Sequence, residues 1–105
     1  MEDVSLISVV GVLRYEPRQS KNGQYTYFSL TSDPDCIEEQ SAFFNVQVHD
    51  GQLRQFTNSY LHKDMKVYVH GEYSEAYTFI CGSLLRSQKV KALIIEIVRA
   101  KKHHL

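Results

Sequence analysis

The sequence lacks tryptophan and contains only two cysteines, Cys36 and Cys81. Cysteines this few and this far apart form neither a disulfide framework nor a CxxC site, so we predict two free thiols in a reducing compartment. No apolar run reaches the ~18 residues that a transmembrane helix needs, and the acidic start, MEDVSLI, lacks the basic flank of a signal peptide. These absences predict a chain that is neither secreted nor embedded in a membrane.

Catalytic motifs are also absent: the sequence has no GxSxG, HExxH, P-loop or GxGxxG pattern. Its five histidines do not group with the cysteines at the spacing of metal ligands, and no pair of carboxylates stands out as catalytic. We therefore predict a protein that is not an enzyme and that uses no metal or other cofactor.

Net charge is zero, with 12 basic and 12 acidic residues, which argues against a basic tail that binds any polyanion. The charges are nevertheless segregated along the chain. Residues 33–39, DPDCIEE, carry acids and no base, whereas residues 86–105 carry six bases against Glu96 alone. A balanced total therefore leaves room for one basic face.

The length of 105 residues is that of a single domain, with a core over residues 4–99 and a basic end at 99–105. Residues 4–13 are apolar on both alternating faces, and their β-branched side chains and Gly11 favour a strand over the rival helix. One small barrel core does not absorb both faces, so we expect this first strand to pair with its copy in a dimer or tetramer.

Two further strands, at 25–32 and 42–49, show clear alternation, and a hairpin turn at Asn22 and Gly23 precedes the first of them. The alternation directs inward Thr26, Phe28, Leu30, Phe44, Val46 and Val48. It leaves on the outer face Tyr25, Tyr27, Ser29, Phe43, Asn45, Gln47 and His49. An outward phenylalanine beside polar side chains is costly unless something covers it, and either a nucleic acid or a neighbouring subunit would do so.

The apolar spacing then becomes helical, which predicts a helix at 51–61 with Asp50 as its cap. A fourth strand follows, with Val67 and Val69 inward and a bulge at Gly71. Residues 74–82 extend this strand or begin a hairpin arm. A loop at 81–88 is expected to precede a fifth strand at 89–99.

Five strands with one short helix between the third and fourth is the order of an all-β OB-fold, a Greek-key barrel that binds oligonucleotides. Binding a single strand requires aromatic rings for base stacking and cations near the phosphates. Phe28, Phe44 and Phe56 are assigned to the core, and Tyr60 and Tyr68 to packing or a subunit contact. The candidate nucleic-acid-binding residues are Arg14, Lys21, Tyr25, Tyr27, Phe43, Asn45, His49, Lys66, Tyr73, Tyr77, Phe79, Arg86, Lys89 and Lys91.

Three segments resemble the bacterial and mitochondrial single-stranded DNA-binding proteins. They are SVVGVLRYEPRQSKNGQYTYFSLTS at 8–32, FFNVQVH at 43–49 and YLHKDMKVYVHG at 60–71. The last is similar to the family's Y-L-K-K-G-D-K-V-Y-V-E-G segment and is the most specific match. The resemblance covers residues 4–99, nearly the whole chain.

The resemblance implies an OB-fold homotetramer that coats single-stranded DNA with little sequence preference in replication, repair and recombination. It implies a mitochondrial matrix or nucleoid, or a bacterial cytoplasm, as the location. By position, Phe43 stands where the family has a stacking tryptophan and His49 where it has a stacking phenylalanine. Tyr77 or Phe79 lies near a third stacking aromatic.

Two other hypotheses remain open. One is an OB-fold subunit or adaptor of a replication or RNA-processing complex that acts mainly through protein contacts, which the zero net charge and the missing tryptophan favour. The other is RNA binding, which differs from DNA binding through contacts to the 2′-hydroxyl.

Overall fold

The computed structural model describes residues 5–32 and 43–99, so the acidic segment at 33–39 and the basic end beyond residue 99 lie outside the described residues. Segments that alternate between apolar and polar side chains form strands, because successive strand residues point to opposite faces of a sheet. The elements are, in chain order, β1 (Ser5–Leu13), β2 (Arg18–Gln19), β3 (Thr26–Ser32), β4 (Phe43–Val48), α1 (Gly51–Tyr60), β5 (Lys66–Ile80) and β6 (Ser83–Ile97).

The strands close into a barrel. The sheet order is β1-β5-β6-β4-β3-β2, and β1 also pairs with β3. Paired strands are antiparallel except β4 and β6, which run parallel. With the two-residue β2 set aside, five strands and a helix between the third and fourth confirm the predicted OB-fold. No helix in the described part of the chain is long and apolar enough to cross a membrane.

The interior of the barrel is apolar. Most inward residues predicted from alternation in β3, β4 and β5 are at most 3% exposed, namely Phe28, Leu30, Val46, Val48, Val67 and Val69. Leu13 and Val90 are fully buried in the same cluster. Each fully buried aliphatic side chain contributes roughly 1.5–3 kcal/mol, so this cluster fixes the register of the strands. Phe44 and Phe56 are only partly buried and pack at its margin.

The helix α1 lies against β3, β4 and β6. Its predicted cap is confirmed, because the Asp50 carboxylate accepts a hydrogen bond from the backbone N–H of Leu53 at 2.9 Å. The buried hydroxyl of Thr26 donates to the side-chain oxygen of Asn58 at 3.1 Å. The helix therefore satisfies a polar group that the barrel buries.

The pairing of β5 with β6 depends on a glycine. Their register shifts between His70 and Gly71, which confirms the predicted bulge. The two backbones approach so closely here that a Cβ on Gly71 would clash with the carbonyl oxygen of Lys91. Only glycine fits this position without moving β6.

Beyond this bulge, β5 and β6 continue as a paired arm as far as Ile80 and Ser83. At its tip Cys81 and Gly82 form a two-residue turn with φ of 53° and 79°. The loop predicted at 81–88 is therefore wrong, since residues 83–88 belong to β6. Most described side chains in this segment are exposed on both faces, so no inward-outward alternation marks it as a strand.

Candidate nucleic-acid interface

The outward residues of β3, β4 and β6 form one surface. Cross-strand register aligns them in two rows, one of Tyr27, Gln47 and Lys91 and the other of Ser29, Asn45 and Lys89. We call this surface the groove face, and it includes at its margins Tyr25, Phe43 and His49. It combines aromatic rings, side-chain amides and lysines on the outside of a rigid barrel.

An open groove of about 480 Å³ runs along this face. Its lining residues are Ser20, Lys21, Asn22, Tyr25, Tyr27, Asn45, Gln47 and Lys89. Lys21 stands on the β2–β3 turn and Lys89 on β6, so a lysine lies on either side of the aromatic floor. The groove therefore offers apolar rings and positive charge together.

The β2–β3 turn is held in place by its own side chains. The Ser20 hydroxyl donates to the side-chain oxygen of Asn22 at 2.7 Å and accepts from the backbone N–H groups of Gln24 and Tyr25 at 3.1 and 3.2 Å. From α1, Arg54 donates to the carbonyl of Gly23 at 2.9 Å. Lys21 is therefore carried on a braced turn rather than on a loose loop.

The aromatic floor is partly stacked within the chain. The rings of Tyr25 and His49 stack with centroids 4.9 Å apart and planes 26° apart, and those of Tyr25 and Tyr27 are tilted at 6.2 Å. A ring nitrogen of His49 lies 3.1 Å from the side-chain oxygen of Gln47. Because His49 covers one face of Tyr25, the exposed ring of Tyr27 is the freer stacking surface.

Phe43 lies outside the barrel, as alternation predicted, with 48% of its surface exposed. The guanidinium carbon of Arg14 lies 5.1 Å from the centre of its ring, in a cation–π contact. Next to it, Asn45 donates to the Ser87 hydroxyl at 2.9 Å and so connects β4 with β6. Arg14 and Phe43 thus join the groove face as a pair.

Four predicted residues lie on the arm and not in the groove: Tyr73, Tyr77, Phe79 and Arg86. Tyr73 pairs with buried Val90, so this row continues the inward face of β5, whereas Lys89 points outward. Continued alternation from Val67 and Val69 already carried this signal. The arm is a second aromatic surface, with Tyr77 59% and Phe79 75% exposed.

A carboxylate organises the base of the arm. Glu75 accepts hydrogen bonds from the hydroxyls of Tyr73 and Tyr77 at 2.6 and 3.1 Å and lies 3.7 Å from the Arg86 guanidinium. The hydrogen bonds from Tyr73 and Tyr77 lower the pKa of the Glu75 carboxyl. The same bond to Glu75 raises the pKa of the Tyr73 hydroxyl, and burial raises it further.

Lys66 is a predicted site residue that does not line the groove. It lies on β5 opposite Val12, and β1 separates it from β3. Alternation identified it correctly as outward but did not indicate which outward face it joins.

The candidate site predicted from the sequence lacks three groove-lining residues, Ser20, Asn22 and Gln47. The signals for them were present, since alternation had directed Gln47 outward and the Asn22–Gly23 turn marked the loop beside the groove. Within residues 5–32 and 43–99, no three His, Cys, Asp or Glu side chains gather as a metal site requires.

No family model and no curated protein matches the sequence. Solved structures do match. The mitochondrial single-stranded DNA-binding protein Rim1 of S. cerevisiae superimposes with a TM-score of 0.76 at 22% identity, covering 95% of this chain and 100% of that one. A small single-stranded DNA-binding protein from Streptomyces coelicolor gives a TM-score of 0.76 at 22% identity, covering 92% and 96%.

A third match is the Plasmodium falciparum SSB in complex with single-stranded DNA, with a TM-score of 0.64 at 17% identity, covering 93% of this chain and 96% of that one. The chain therefore shares, over nearly its whole length, the OB-fold of these single-stranded DNA-binding proteins.

Proposed function

We propose that this chain binds single-stranded DNA with little sequence preference and that the groove face is its binding surface. The observation that carries the proposal is the groove itself, where the exposed ring of Tyr27 lies between Lys21 on one side and Lys89 on the other. The shared fold with three single-stranded DNA-binding proteins supports it.

The chemistry of the groove fits an unpaired strand. Bases stack on tyrosine rings regardless of their identity, at about 1–3 kcal/mol per base. Lys21 and Lys89 supply charge for the phosphates, and the amides of Asn45 and Gln47 both donate and accept hydrogen bonds. A duplex hides the flat faces of its bases in the stack, so this floor favours single strands.

A titration with labelled dT oligomers of increasing length tests the proposal. We expect binding that tightens with length until the site is filled. The slope of log K against log salt should be about −0.7 for each phosphate neutralised, and Lys21→Ala with Lys89→Ala should reduce it by about 1.4. A folded sample that gives a flat titration at low salt would refute the proposal, and a duplex of equal length is the matched control.

The cellular role and location that we propose depend on this binding of single-stranded DNA. A protein of this kind protects exposed strands during replication, repair and recombination, in a mitochondrial matrix or nucleoid or in a bacterial cytoplasm, and acts without catalysis. The mitochondrial and bacterial origin of two structural neighbours supports the location. Protection of a single strand from nuclease digestion, with no turnover of the strand itself, is the expected result.

We also propose self-association through β1. Its outward side chains continue across β5 and β6 as a surface, here called the β1 face. This face comprises Leu6, Ser8, Val10, Tyr68, His70, Glu72, Ile94 and Glu96. Leu6 is 59% and Val10 42% exposed, and in the described part of the chain residues 5–10 pair only with β5. Sedimentation at micromolar concentration should show a dimer or tetramer, and a monomer would contradict the proposal.

The exposed aliphatic residues of the β1 face also favour the second candidate, an adaptor that acts through protein contacts. The two functions differ in an observable way. An adaptor has no affinity for dT oligomers at low salt, whereas a DNA-binding protein binds them. If the protein binds, competition between dT and rU oligomers distinguishes DNA from RNA as the ligand.

A further inference from the structure

A second, smaller pocket of about 190 Å³ adjoins the groove. Its lining residues are Tyr15, Glu16, Arg18, Tyr27, Phe28 and Ser29. Tyr27 lines both cavities, and Ser29 donates to Asn45 of the groove at 3.4 Å. The pocket and the groove therefore adjoin at Tyr27.

The pocket is built from fixed parts. The backbone N–H of Arg14, at the end of β1, donates to the Ser29 carbonyl at 3.1 Å. The Glu16 carboxylate accepts from the backbone N–H of Lys63 at 3.2 Å and lies 3.4 Å from a ring nitrogen of His62. A carboxylate has about four lone-pair positions, so Glu16 is held in place and keeps acceptor capacity for a ligand.

The pocket has aromatic groups that suit the base of a nucleotide and charged groups that suit its phosphate and its base edge. Tyr15 is 55% exposed, so its ring and that of Tyr27 are available as flat surfaces. Arg18, exposed on β2 opposite Tyr27, supplies a positive charge for a phosphate. The negative Glu16 would repel a phosphate, but its carboxylate oxygens can accept a hydrogen bond from the edge of a base.

We infer that this pocket takes one base of the bound strand and that Glu16 makes it prefer a base with an exocyclic amino group. The inference rests on the proposed binding of single-stranded DNA in the groove. Glu16 accepts a hydrogen bond from the 4-amino group of cytosine, whereas thymine presents a carbonyl oxygen at the same place and is repelled. The groove itself has little sequence preference, because every base has a flat face that stacks on its tyrosine rings.

The test compares dC and dT oligomers of equal length on the wild-type protein and on Glu16→Gln. The amide of glutamine donates as well as accepts, so the affinity ratio of dC to dT should fall by roughly fivefold, a modest factor because water competes at this exposed carboxylate. Tyr15→Ala should weaken both oligomers by roughly fivefold through the lost stack. Tyr60→Ala, an exposed tyrosine on α1 outside both cavities, is the matched control and should change neither value.

The outcomes distinguish a failure of the pocket from a failure of the proposed DNA binding. Wild-type binding with an unchanged ratio in Glu16→Gln and unchanged affinity in Tyr15→Ala would overturn the pocket and leave the groove intact. A wild-type protein that binds neither oligomer would overturn the proposed function and this inference together. Thermal unfolding of each variant checks that it is folded. Because Tyr15 is exposed, Tyr15→Ala still tests the pocket if loss of the Glu16 charge disturbs its contacts with His62 and Lys63.

Discussion

The groove face and the β1 face are both outer surfaces of one barrel, yet their chemistry differs. In the groove face, Tyr27 lies in a row with Gln47 and Lys91, so rings, amides and charge alternate across the strands. In the β1 face, aliphatic Leu6, Val10 and Ile94 are exposed beside the acids Glu72 and Glu96. Outward orientation is thus a shared property, and the side chains at those positions decide whether a surface suits a nucleic acid or a protein.

Polar groups on the β1 face sharpen this contrast. The Ser8 hydroxyl lies 3.0 Å from the Tyr68 hydroxyl and 2.7 Å from a ring nitrogen of His70, so these groups satisfy one another. Polar groups that are already paired lose little when a partner excludes water. The lysines beside the groove instead carry charge that a phosphate would meet.

The largest expected effect is a loss of stability of the whole barrel, on which both faces depend. Gly71→Ala places a methyl group against the Lys91 carbonyl at the bulge, which forces the β5 and β6 backbones apart. We expect the free energy of unfolding to fall by roughly 3 kcal/mol, measured by chemical denaturation. Gly51→Ala is the matched control, because nothing lies within 4 Å of its Cβ position. Equal stability of the two variants would contradict the close approach described here.

The next effect is confined to the β1 face. The double substitution Leu6→Asp and Val10→Asp puts two carboxylates into the proposed subunit contact. An unpaired buried charge costs several kcal/mol, so self-association should weaken by more than about 100-fold in sedimentation. Short dT oligomers that fill one groove should bind as before. Leu85→Asp, at an exposed aliphatic residue of the arm, is the control, and an unchanged oligomer in the double variant would exclude β1 as the contact.

A smaller effect is confined to the groove face. Tyr25→Ala with Tyr27→Ala removes the aromatic floor, and the loss of two stacks should raise the Kd for dT oligomers by roughly 30-fold or more. Sedimentation of the double variant should be unchanged. If the double variant still binds dT oligomers and the separate variant Tyr77→Ala, on the arm, does not, the arm and not the groove is the binding surface.

The inside and outside of the barrel could be predicted from the sequence, because a buried row of Val46 and Val48 forces its neighbours outward. Local chemistry likewise predicted the Asp50 cap and the Gly71 bulge. Lys66 shows the limit of this signal. Alternation directs it outward, but which outer face a residue joins depends on which distant strands pair, and alternation within one strand does not encode that. The Glu16 pocket depends in the same way on a distant segment, since Glu16 contacts His62 and Lys63.

The smallest expected effect concerns the arm, which is the continuation of the paired strands β5 and β6 beyond the bulge. Hydrogen bonds from Tyr73 and Tyr77 lower the pKa of Glu75 in the folded protein. Its carboxylate therefore stabilises the fold above the unfolded pKa of about 4.3, and this contribution is lost as pH falls through the lower, folded pKa. The Tm of the wild type should exceed that of Glu75→Gln by a few degrees at most at pH 7, and the gap should close in strong acid. Tyr73→Phe removes one hydrogen-bond donor to Glu75, so in that background Glu75→Gln should lower the Tm less at pH 7. A Tm difference between wild type and Glu75→Gln that persists unchanged in acid would assign the difference to packing and not to charge.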